Sequence, residues 1–329
     1  MKEVLVLTTG GTIASLHTDL GLAPGLADDV LITAFGEVPD VTLSVEAVMS
    51  KDSTNMQPED WLVLAENIYR YSEQYDAFII THGTDTMGYT AAALSYLLLD
   101  FDKPVILTGS QIPLEAEETD AVRNLHDALT FASQTQLKGV YVVFNGLVMM
   151  GTRTVKTKTK SYDAFESINY PYIASVADGV MTSLFTPAEE SLVIQPHLSL
   201  DPNIFVLKAF PGMTVDIFDY LADRFNAVII ESFGNGGLPF EKRNLIPGLE
   251  ILTAKQIPVI ITTQILEEGQ DINLYEVGKR VAQAGGITAG DMTTEAIVAK
   301  LMWILGSTHD YDTVKELMHT TIAHDLDFV

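Results

Sequence analysis

The heptapeptide THGTDTM, residues 81–87, collects three hydroxyls, an imidazole and a carboxylate directly after an apolar run. A threonine hydroxyl beside a carboxylate becomes a nucleophile when a lysine also approaches, because a neutral amine takes the hydroxyl proton. Asp85 is also suited to anchor the α-ammonium of an amino-acid substrate. Thr84, Asp85 and Thr86 are equally suited to cap the helix that follows, so this segment alone leaves both interpretations open.

A second cluster, TTGGTIAS at residues 8–15, follows the first apolar run of the chain. Gly10-Gly11 permits a tight turn that brings backbone N–H groups close to a ligand, and the turn presents Thr12. A hydroxyl with N–H donors nearby suits a nucleophile beside an oxyanion hole. The glycine spacings of phosphate-binding loops are absent. A plain turn capped by Thr12 is the structural alternative.

Lysines for such a site occur in RTVKTKTKSYDAFES, residues 153–167. In an extended conformation Lys156, Lys158 and Lys160 share one face, so spacing alone does not identify the lysine that turns inward. A solvated basic edge strand is the alternative interpretation of this run.

The segment KDSTNMQPEDW, residues 51–61, is a further polar cluster. Ser53 and Thr54 precede a helix opened by Pro58 and are suited to bind a carboxylate with hydroxyls and backbone N–H groups. Capping by Ser53, Thr54 or Asn55 is an equally good structural role for the same residues.

Short β-rich runs alternate with segments of helical period, which predicts α/β architecture around a parallel sheet. The predicted strands cover residues 4–7, 77–80, 105–107, 140–144, 205–208, 227–231 and 259–262. The predicted helices cover residues 58–71, 87–99 and 120–132. Ligands of open parallel sheets bind beyond the carboxyl ends of the strands, where the polar clusters follow.

The length of 329 residues favours two domains. The alternation weakens after Pro171 and resumes at Phe205. We therefore predict a larger N-terminal parallel-sheet domain of flavodoxin or Rossmann type over 1–185, a linker over 186–204 and a smaller α/β domain over 205–329.

The composition excludes several classes of function. The chain has no cysteine, which excludes disulfides, thiol catalysis and cysteine-ligated zinc. A formal net charge of -25 argues against nucleic acid and anionic membranes as partners. His82 and His126 are isolated, and no spacing indicates a metal site. The N-terminal segment lacks the apolar core of a signal peptide, so we expect a soluble cytoplasmic protein.

The chain resembles the bacterial-type L-asparaginases in four segments, which have the order and spacing of that family: TTGGTIAS, DSTNMQPEDW, ITHGTDTMGYTA with VILTGSQIP, and VKTKTKSYDAFES. The resemblance is strongest to the cytoplasmic type I branch and its archaeal relatives. It continues through ESFGNGGLP, TTQILEEG and AGDMTTEA and so covers nearly the whole chain. Each motif is weak alone, but the set is specific.

The resemblance implies hydrolysis of L-asparagine to L-aspartate and ammonia, with a weak glutaminase side activity. It implies that Thr12 is the flexible-loop threonine usually taken as the nucleophile and that Thr84 is the second threonine, grouped with Asp85 and a lysine. It also implies an acyl-enzyme-like route and no cofactor. Lys156 is the implied lysine because it lies nine residues before Phe165. The implied catalytic residues are Thr12, Thr84, Asp85 and Lys156. The implied substrate-binding residues are Gly11, Asp52, Ser53, Thr54, Gly83, Thr84, Asp85 and Ser110.

One position departs from the family pattern. Leu22 stands where the family carries a loop tyrosine, and no tyrosine occurs before Tyr69. Activation of Thr12 then depends on water, another group or a displaced loop residue, or Thr84 takes the larger part.

Two other functions fit the same motifs. One is the asparaginase-like subunit of a tRNA-dependent amidotransferase, which the acidic charge opposes. The other is a non-catalytic amino-acid sensor on the same fold, which Leu22 makes plausible. The resemblance also implies a homodimer or homotetramer in which the C-terminal domain of one protomer completes the site of its neighbour.

Overall fold

A computed structural model describes residues 1–11, 13, 15–18, 21–24, 28–190 and 194–326. The chain divides into two units, Met1–Leu198 and Ser199–Val329. The domain and linker boundaries expected from the sequence stay predictions.

The strands of the first unit are β1 Lys2–Gly10, β2 Ser15–Thr18, β3 Gly21–Pro24, β4 Val41–Lys51, β5 Ala77–Thr81, β6 Pro104–Thr108, β7 Gly139–Phe144, β8 Leu147–Met150, β9 Thr154–Lys156, β10 Phe165–Ser167, β11 Ala174–Ala177 and β12 Val180–Ser183. Its helices are α1 Asp28–Phe35, α2 Pro58–Tyr71, α3 Met87–Leu97 and α4 Ala121–Gln134. Among the described residues, the main sheet has the order β12-β11-β8-β7-β6-β5-β1-β4.

The centre of this sheet is parallel and buried. Strands β4, β1, β5, β6 and β7 run parallel, whereas β8, β11 and β12 join by antiparallel pairing. Every residue of β5 and β6 is buried, as expected for central strands with both faces covered. The predicted α/β architecture with a parallel-dominated sheet is confirmed.

Local sequence explains where helix α2 begins. Helix α2 begins at Pro58, whose missing N–H is not required in the first turn. The Gln57 N–H donates to the Asp60 carboxylate at 2.9 Å, which closes the N-terminal turn. Trp61, Leu64 and Ile68 recur on one face of the helix and are buried.

Some segments differ from what the sequence patterns predicted. β4 is an edge strand whose residues are mostly half-buried, and its polar Ser44 and Glu46 break up any apolar run. The lysine run 153–167 is not one continuous extended strand, because β9 ends at Lys156 and pairing resumes only at Phe165. The interpretation of Lys156, Lys158 and Lys160 as one face of a strand is therefore wrong.

The second unit contains β13 Ile204–Lys208, β14 Ala227–Ser232, β15 Val259–Thr263 and β16 Ile287–Thr288, with α5 Ile217–Ala222, α6 Ile246–Ala254, α7 Glu276–Gln283, α8 Thr294–Leu305 and α9 Tyr311–His319. Its strands pair in parallel in the order β13-β14-β15-β16. This smaller α/β unit matches the predicted architecture. None of the helices formed by the described residues is long and apolar enough to cross a membrane.

A buried ion pair joins α8 to the segment after α9. Lys300 Nζ lies 2.8 Å from Asp325 Oδ2, and both side chains are completely buried. Lys300 also donates to the Thr320 carbonyl at 2.6 Å, and the Ile322 N–H donates to Asp325 Oδ1 at 2.9 Å. These hydrogen bonds compensate the desolvation of both charges, which is required for a stable buried pair.

We predict that Lys300→Met lowers the free energy of unfolding by about 3–5 kcal/mol, because the buried Asp325 carboxylate loses its cationic partner. The matched control is Lys255→Met, which removes an exposed pair with Asp223 and should cost less than about 1 kcal/mol. Urea titration of both variants measures the difference. Equal losses in the two variants would contradict the structural role of the buried pair.

Candidate active site

The polar clusters converge because the pairing of β1 with β5 and of β5 with β6 ends at the same level of the sheet. Thr8 of β1 pairs with Thr81 of β5, and Thr81 pairs with Thr108 of β6. The loops that follow these threonines therefore emerge side by side at the carboxyl edge of the sheet, where open α/β sheets bind ligands. The end of β4 joins them, since Gly10 pairs with Lys51.

Glycines allow the neighbouring loops to touch. Gly11 has φ +79, and a Cβ placed on it would lie 2.5 Å from the Gly83 nitrogen. A Cβ on Gly83 would lie 2.6 Å from Ser53 Oγ. Both distances are too short for any side chain larger than hydrogen. The structure thus brings together three residues predicted to bind substrate: Gly11, Ser53 and Gly83.

A lysine contacts one of the two predicted catalytic hydroxyls, that of Thr84. Lys156 Nζ donates to Thr84 Oγ1 at 2.8 Å and to Asp85 Oδ1 at 2.7 Å. Thr84 is buried and donates its own hydroxyl proton to Gln111 Oε1 at 3.0 Å. The Asp85 side chain is 56% exposed, whereas that of Lys156 is only 17% exposed. The hydroxyl therefore lies between an amine and an amide oxygen, with a carboxylate holding the amine.

Strand pairing places this lysine. Lys156 ends β9 and pairs with Phe165 of β10, and the Phe165 ring packs against Phe144 with centroids 4.9 Å apart. The nine-residue spacing used in the sequence thus corresponds to a pair of residues opposite each other in a hairpin. Lys158 points elsewhere, to Asp163 at 2.5 Å, and Lys160 is exposed.

The 51–61 segment also contains a cap, but not at the residues considered for it. Asp52 is the N-cap of a short 3₁₀ helix over Ser53–Asn55. Its Oδ1 accepts from the Thr54 hydroxyl at 2.7 Å and from the Thr54 N–H at 2.8 Å. The pKa of Asp52 is lowered mainly by the hydrogen bond from the Thr54 side chain and to a smaller extent by the one from the Thr54 backbone. The Asp52 carboxylate is thus engaged within the turn, while Thr54 itself stays exposed.

Helix capping does not account for THGTDTM. Thr86 is the N-cap of α3, yet its side chain makes no capping bond. It donates instead to the Ser53 carbonyl at 2.7 Å and so ties the two loops together. Thr84 is engaged by Lys156 and Gln111, as described above.

The loop after β6 is held by a residue that sequence reasoning did not select. Both carboxylate oxygens of Asp120 accept from the Gln111 N–H, at 3.1 and 3.0 Å, and Oδ1 also accepts from the Ile112 N–H at 2.9 Å. Ser110 is buried and donates its hydroxyl to the Ile112 carbonyl at 2.6 Å. Asp120 thus fixes the turn that carries Gln111. No local motif in the sequence indicates that Asp120 holds this turn or that Gln111 accepts from Thr84.

His82 belongs to a hydrogen-bond network that the sequence did not reveal. It is completely buried, with Nδ1 2.7 Å from the Gly83 carbonyl and Nε2 2.9 Å from Thr90 Oγ1. Trp61 Nε1 donates to the same Thr90 hydroxyl at 2.9 Å. A carbonyl only accepts, so we assign the ring proton to Nδ1, and Thr90 then donates to Nε2. Its partners come from distant parts of the chain, which is why spacing did not reveal the network.

Burial lowers the pKa of His82 to about 4, and the hydrogen bond to the Gly83 carbonyl opposes this shift. The imidazole is therefore neutral at pH 7.

Two predicted features lie outside what can be described. Thr12 falls outside the described residues. Leu22 lies in β3 opposite His17 of β2 in a short antiparallel hairpin, and only its backbone is described. The contributions of Thr12 and of a loop group near Leu22 stay predictions.

Comparison with known proteins places both units of the chain in one family. The family profile "Asparaginase, N-terminal" matches residues 3–188, and "Glutaminase/Asparaginase C-terminal domain" matches residues 203–318. The L-asparaginase of Thermococcus kodakarensis is 39% identical, covering 98% of this chain and 99% of that protein. The solved structure of the thermostable L-asparaginase from the same organism superposes with a TM-score of 0.93 at 38% identity, covering 98% and 99% of the two chains.

Two further relatives are similar over nearly the whole chain. L-asparaginase 1 of Escherichia coli K12 is 34% identical over 99% of this chain and 98% of that protein. One component of the glutamyl-tRNA(Gln) amidotransferase of Pyrococcus horikoshii is 32% identical over 99% of this chain but only 77% of that component.

Two α/β units, the first with a threonine, a lysine and an aspartate meeting at its strand ends, define the class as an α/β amidohydrolase. The chain belongs to the asparaginase family, which it matches over both of the family's domains.

We predict that His82 makes stability fall with acid between pH 6.5 and 4. The folded pKa of about 4 lies below the ordinary value of 6.5, so in this window the unfolded chain binds a proton that the folded chain does not. The stabilisation is complete above pH 6.5, and roughly 3 kcal/mol is lost as the pH falls to 4. Urea titrations across this window measure the loss. His82→Asn is the control, and its stability should depend less steeply on pH; an identical slope would contradict the prediction.

Proposed function

We propose that this chain hydrolyses the side-chain amide of L-asparagine to give L-aspartate and ammonia. The observation that carries the proposal is the double contact of Lys156 Nζ with the Thr84 hydroxyl and the Asp85 carboxylate, at 2.8 and 2.7 Å. Membership in the asparaginase family supports it, as do the L-asparaginase names of the Thermococcus kodakarensis and Escherichia coli relatives.

The geometry supports a threonine nucleophile. In the structure the Thr84 proton points to Gln111, and rotation about the Cβ–Oγ1 bond turns it toward Lys156. Once its amine is deprotonated, Lys156 accepts this proton as the hydroxyl oxygen attacks the amide carbon. The Lys156 ammonium returns the proton to the leaving nitrogen, which departs as ammonia, and water hydrolyses the resulting ester to release aspartate. Asp85 holds the lysine amine in place throughout.

The remaining loops suit the other end of an amino-acid substrate. We assign Ser53 and Thr54 to the α-carboxylate, which the Thr54 hydroxyl reaches by turning from Asp52 while the Thr54 N–H stays bonded to Asp52. We assign the exposed Asp85 carboxylate to the α-ammonium. We assign Gly11, Gly83 and Ser110 to the walls of the cleft. Asp52 contributes by holding Thr54. Thr12, the family's flexible-loop threonine, is the second hydroxyl of the proposed site.

The direct test is ammonia release from free L-asparagine, with L-glutamine measured in parallel. We predict that Thr84→Ala reduces kcat at least about 10²-fold, since the nucleophile or its activator is lost. Thr12→Ala should give a loss of similar size. Thr84→Ser is the matched control and should retain measurable turnover because the hydroxyl is kept. Near-normal activity in Thr84→Ala, with an unchanged circular dichroism spectrum, would remove Thr84 from the mechanism.

A second prediction distinguishes the lysines. Lys156→Met should nearly abolish turnover of asparagine, because Thr84 loses its proton acceptor and Asp85 loses its partner. Lys158→Met should change kcat less than about threefold, since Lys158 contacts Asp163 and Glu166 outside the cluster. Steady-state kinetics of both variants measures the contrast. Greater sensitivity at Lys158 would show that the assigned proton acceptor is wrong.

The amidotransferase alternative rests on the similarity to the glutamyl-tRNA(Gln) amidotransferase component of Pyrococcus horikoshii. The net charge of -25 opposes binding of tRNA. Ammonia release from free asparagine without tRNA separates the two functions and also excludes a non-catalytic sensor.

We also propose that the enzyme acts as at least a homodimer whose second unit completes the neighbour's site. The second unit has a cleft of about 630 Å³ beside the 231–239 loop, lined largely by apolar groups. Tyr275, which lines this cleft, is 57% exposed, and the adjacent Leu274 is 56% exposed. Exposed apolar groups of this size around a cleft are typical of protein–protein contact sites.

Sedimentation at low micromolar concentration should show no species of 36.0 kDa, because obligate interfaces commonly exceed about 2,000 Å². Tyr275→Asp should weaken association and lower activity together. Tyr220→Asp changes another exposed tyrosine of the same unit, outside the cleft, and should do neither. A fully active monomer would contradict the shared site.

A further inference from the structure

The histidine of the THGTD segment lies beneath the proposed site and touches it only through the backbone. His82 is completely buried in the first unit and follows directly on β5. Its own N–H donates to the Thr108 carbonyl at 2.8 Å, so the main chain at this point is still tied to β6. The peptide between Gly83 and Thr84 lies two peptide bonds further along the chain, beyond the end of β5.

That peptide has its carbonyl and its N–H on opposite sides. The described backbone contains no cis peptide, and in a trans peptide the C=O and N–H vectors are antiparallel. The Gly83 carbonyl points to His82 Nδ1 at 2.7 Å. The Thr84 N–H must therefore point away from the imidazole.

The Thr84 N–H is a donor without an acceptor among the described residues. None of them accepts a hydrogen bond from it, although Thr84 is only 6% exposed. Buried backbone N–H groups are nearly always paired, and an exception requires an explanation. A donor held beside a candidate nucleophile is the arrangement that stabilises a developing oxyanion.

The segments around this peptide meet it mostly with backbone. Gly83 has no side chain, and its neighbours across the strand ends, Gly11 and Gly109, have none either. A Cβ on Gly109 would lie 2.2 Å from the His82 carbonyl oxygen, and Ser53 is the side chain that lies against Gly83. Of the described side chains, His82 is the one that hydrogen-bonds the Gly83 carbonyl.

The imidazole is itself held in one tautomer. Thr90 of α3 donates to Nε2, and Trp61 of α2 donates to the Thr90 hydroxyl, both at 2.9 Å. Because Nε2 accepts from Thr90, the proton of the neutral ring is on Nδ1, where it faces the Gly83 carbonyl. A chain of three hydrogen bonds thus runs from α2 to the peptide before Thr84.

We propose that His82 is a positioning residue which, through the Gly83 carbonyl, aims the Thr84 N–H at the oxyanion formed from the substrate amide. The kinetic part of this inference rests on the proposed asparagine hydrolysis. The structural part, that His82 sets the rotation of the Gly83–Thr84 peptide, does not depend on any substrate.

Two substitutions test the two ring nitrogens of His82 separately. In His82→Asn the side-chain nitrogen occupies the position of Nδ1 and still donates to the Gly83 carbonyl. In His82→Gln it occupies the position of Nε2, so it reaches Thr90 but not Gly83. Both variants lose the ring and should lose comparable stability in thermal unfolding. A role in packing alone would therefore affect them alike.

We expect kcat for asparagine to fall about 10²-fold in His82→Gln, the usual effect of losing one oxyanion donor. KM should change less than about threefold, because the donor acts on the transition state. His82→Asn should retain at least about a fifth of kcat. Equal losses of kcat in the two variants, or no loss in either, would overturn the proposal.

Crystal structures of both variants test the structural part independently of activity. The Gly83–Thr84 peptide should keep its rotation in His82→Asn and turn in His82→Gln; an unmoved peptide in His82→Gln would overturn the proposal. If the wild-type protein does not hydrolyse asparagine, a turned peptide in His82→Gln would still support His82 as its positioning residue and reject only the proposed function.

If the His82 variants do not fold, Thr90→Val and Thr90→Ser test the same series of hydrogen bonds. The kcat should be lost in Thr90→Val and kept in Thr90→Ser. Full activity in Thr90→Val would then overturn the proposal.

Discussion

The site depends on the register of three parallel strands, whose mutual pairing ends at the same level of the sheet. Thr8, Thr81 and Thr108 are opposite one another across β1, β5 and β6, so the next residues of each strand share one small volume. Adjacent strands lie about 4.8 Å apart, and loops leaving at that spacing collide unless side chains are absent. Gly11 and Gly83 satisfy this condition. A shift of one residue in the register would turn the side chains of a strand to the opposite face and separate the groups that now meet.

Hydrogen bonding then divides the many hydroxyls of these loops into two kinds. Some hold backbone: Thr86 donates to Ser53, and Ser110 donates to Ile112. Thr84 differs, because its hydroxyl contacts Lys156 and the Gln111 amide instead of a backbone group. Residue type alone cannot separate these roles, because a threonine or serine hydroxyl can cap a helix, link two loops or act as a nucleophile. The role depends on the group to which the hydroxyl is hydrogen-bonded.

Charge is arranged in the same selective way. The chain carries an excess of 25 negative charges, yet a lysine contacts the candidate nucleophile, held there by the Asp85 carboxylate. A second carboxylate, that of Asp120, is directed at backbone N–H groups and stabilises a turn. Buried neutral His82 adds a donor without a charge. Each of these ionisable groups near the site is thus matched to an amine, an amide or a carbonyl.

The sequence by itself determined the alternation of strands and helices, the positions of polar clusters at strand ends and the family to which these clusters belong. These features are local: periodicity reports which face of an element is buried, and motifs report which residues follow a strand. The selection of Lys156 required the family spacing to Phe165, because three lysines alternate in one short run. Edge strand β4 was missed because a half-buried strand has no continuous apolar run.

Only the tertiary structure decided which groups meet. The partners of Thr84 are 27 and 72 residues away along the chain, and the hydrogen-bond network of His82 extends to two helices. Asp120, Gln111 and His82 have ordinary local contexts, so no pattern distinguished them from surface or core residues. Contacts of this kind are set by strand register and helix packing, which place distant residues within hydrogen-bond distance and leave no periodic trace in the chain.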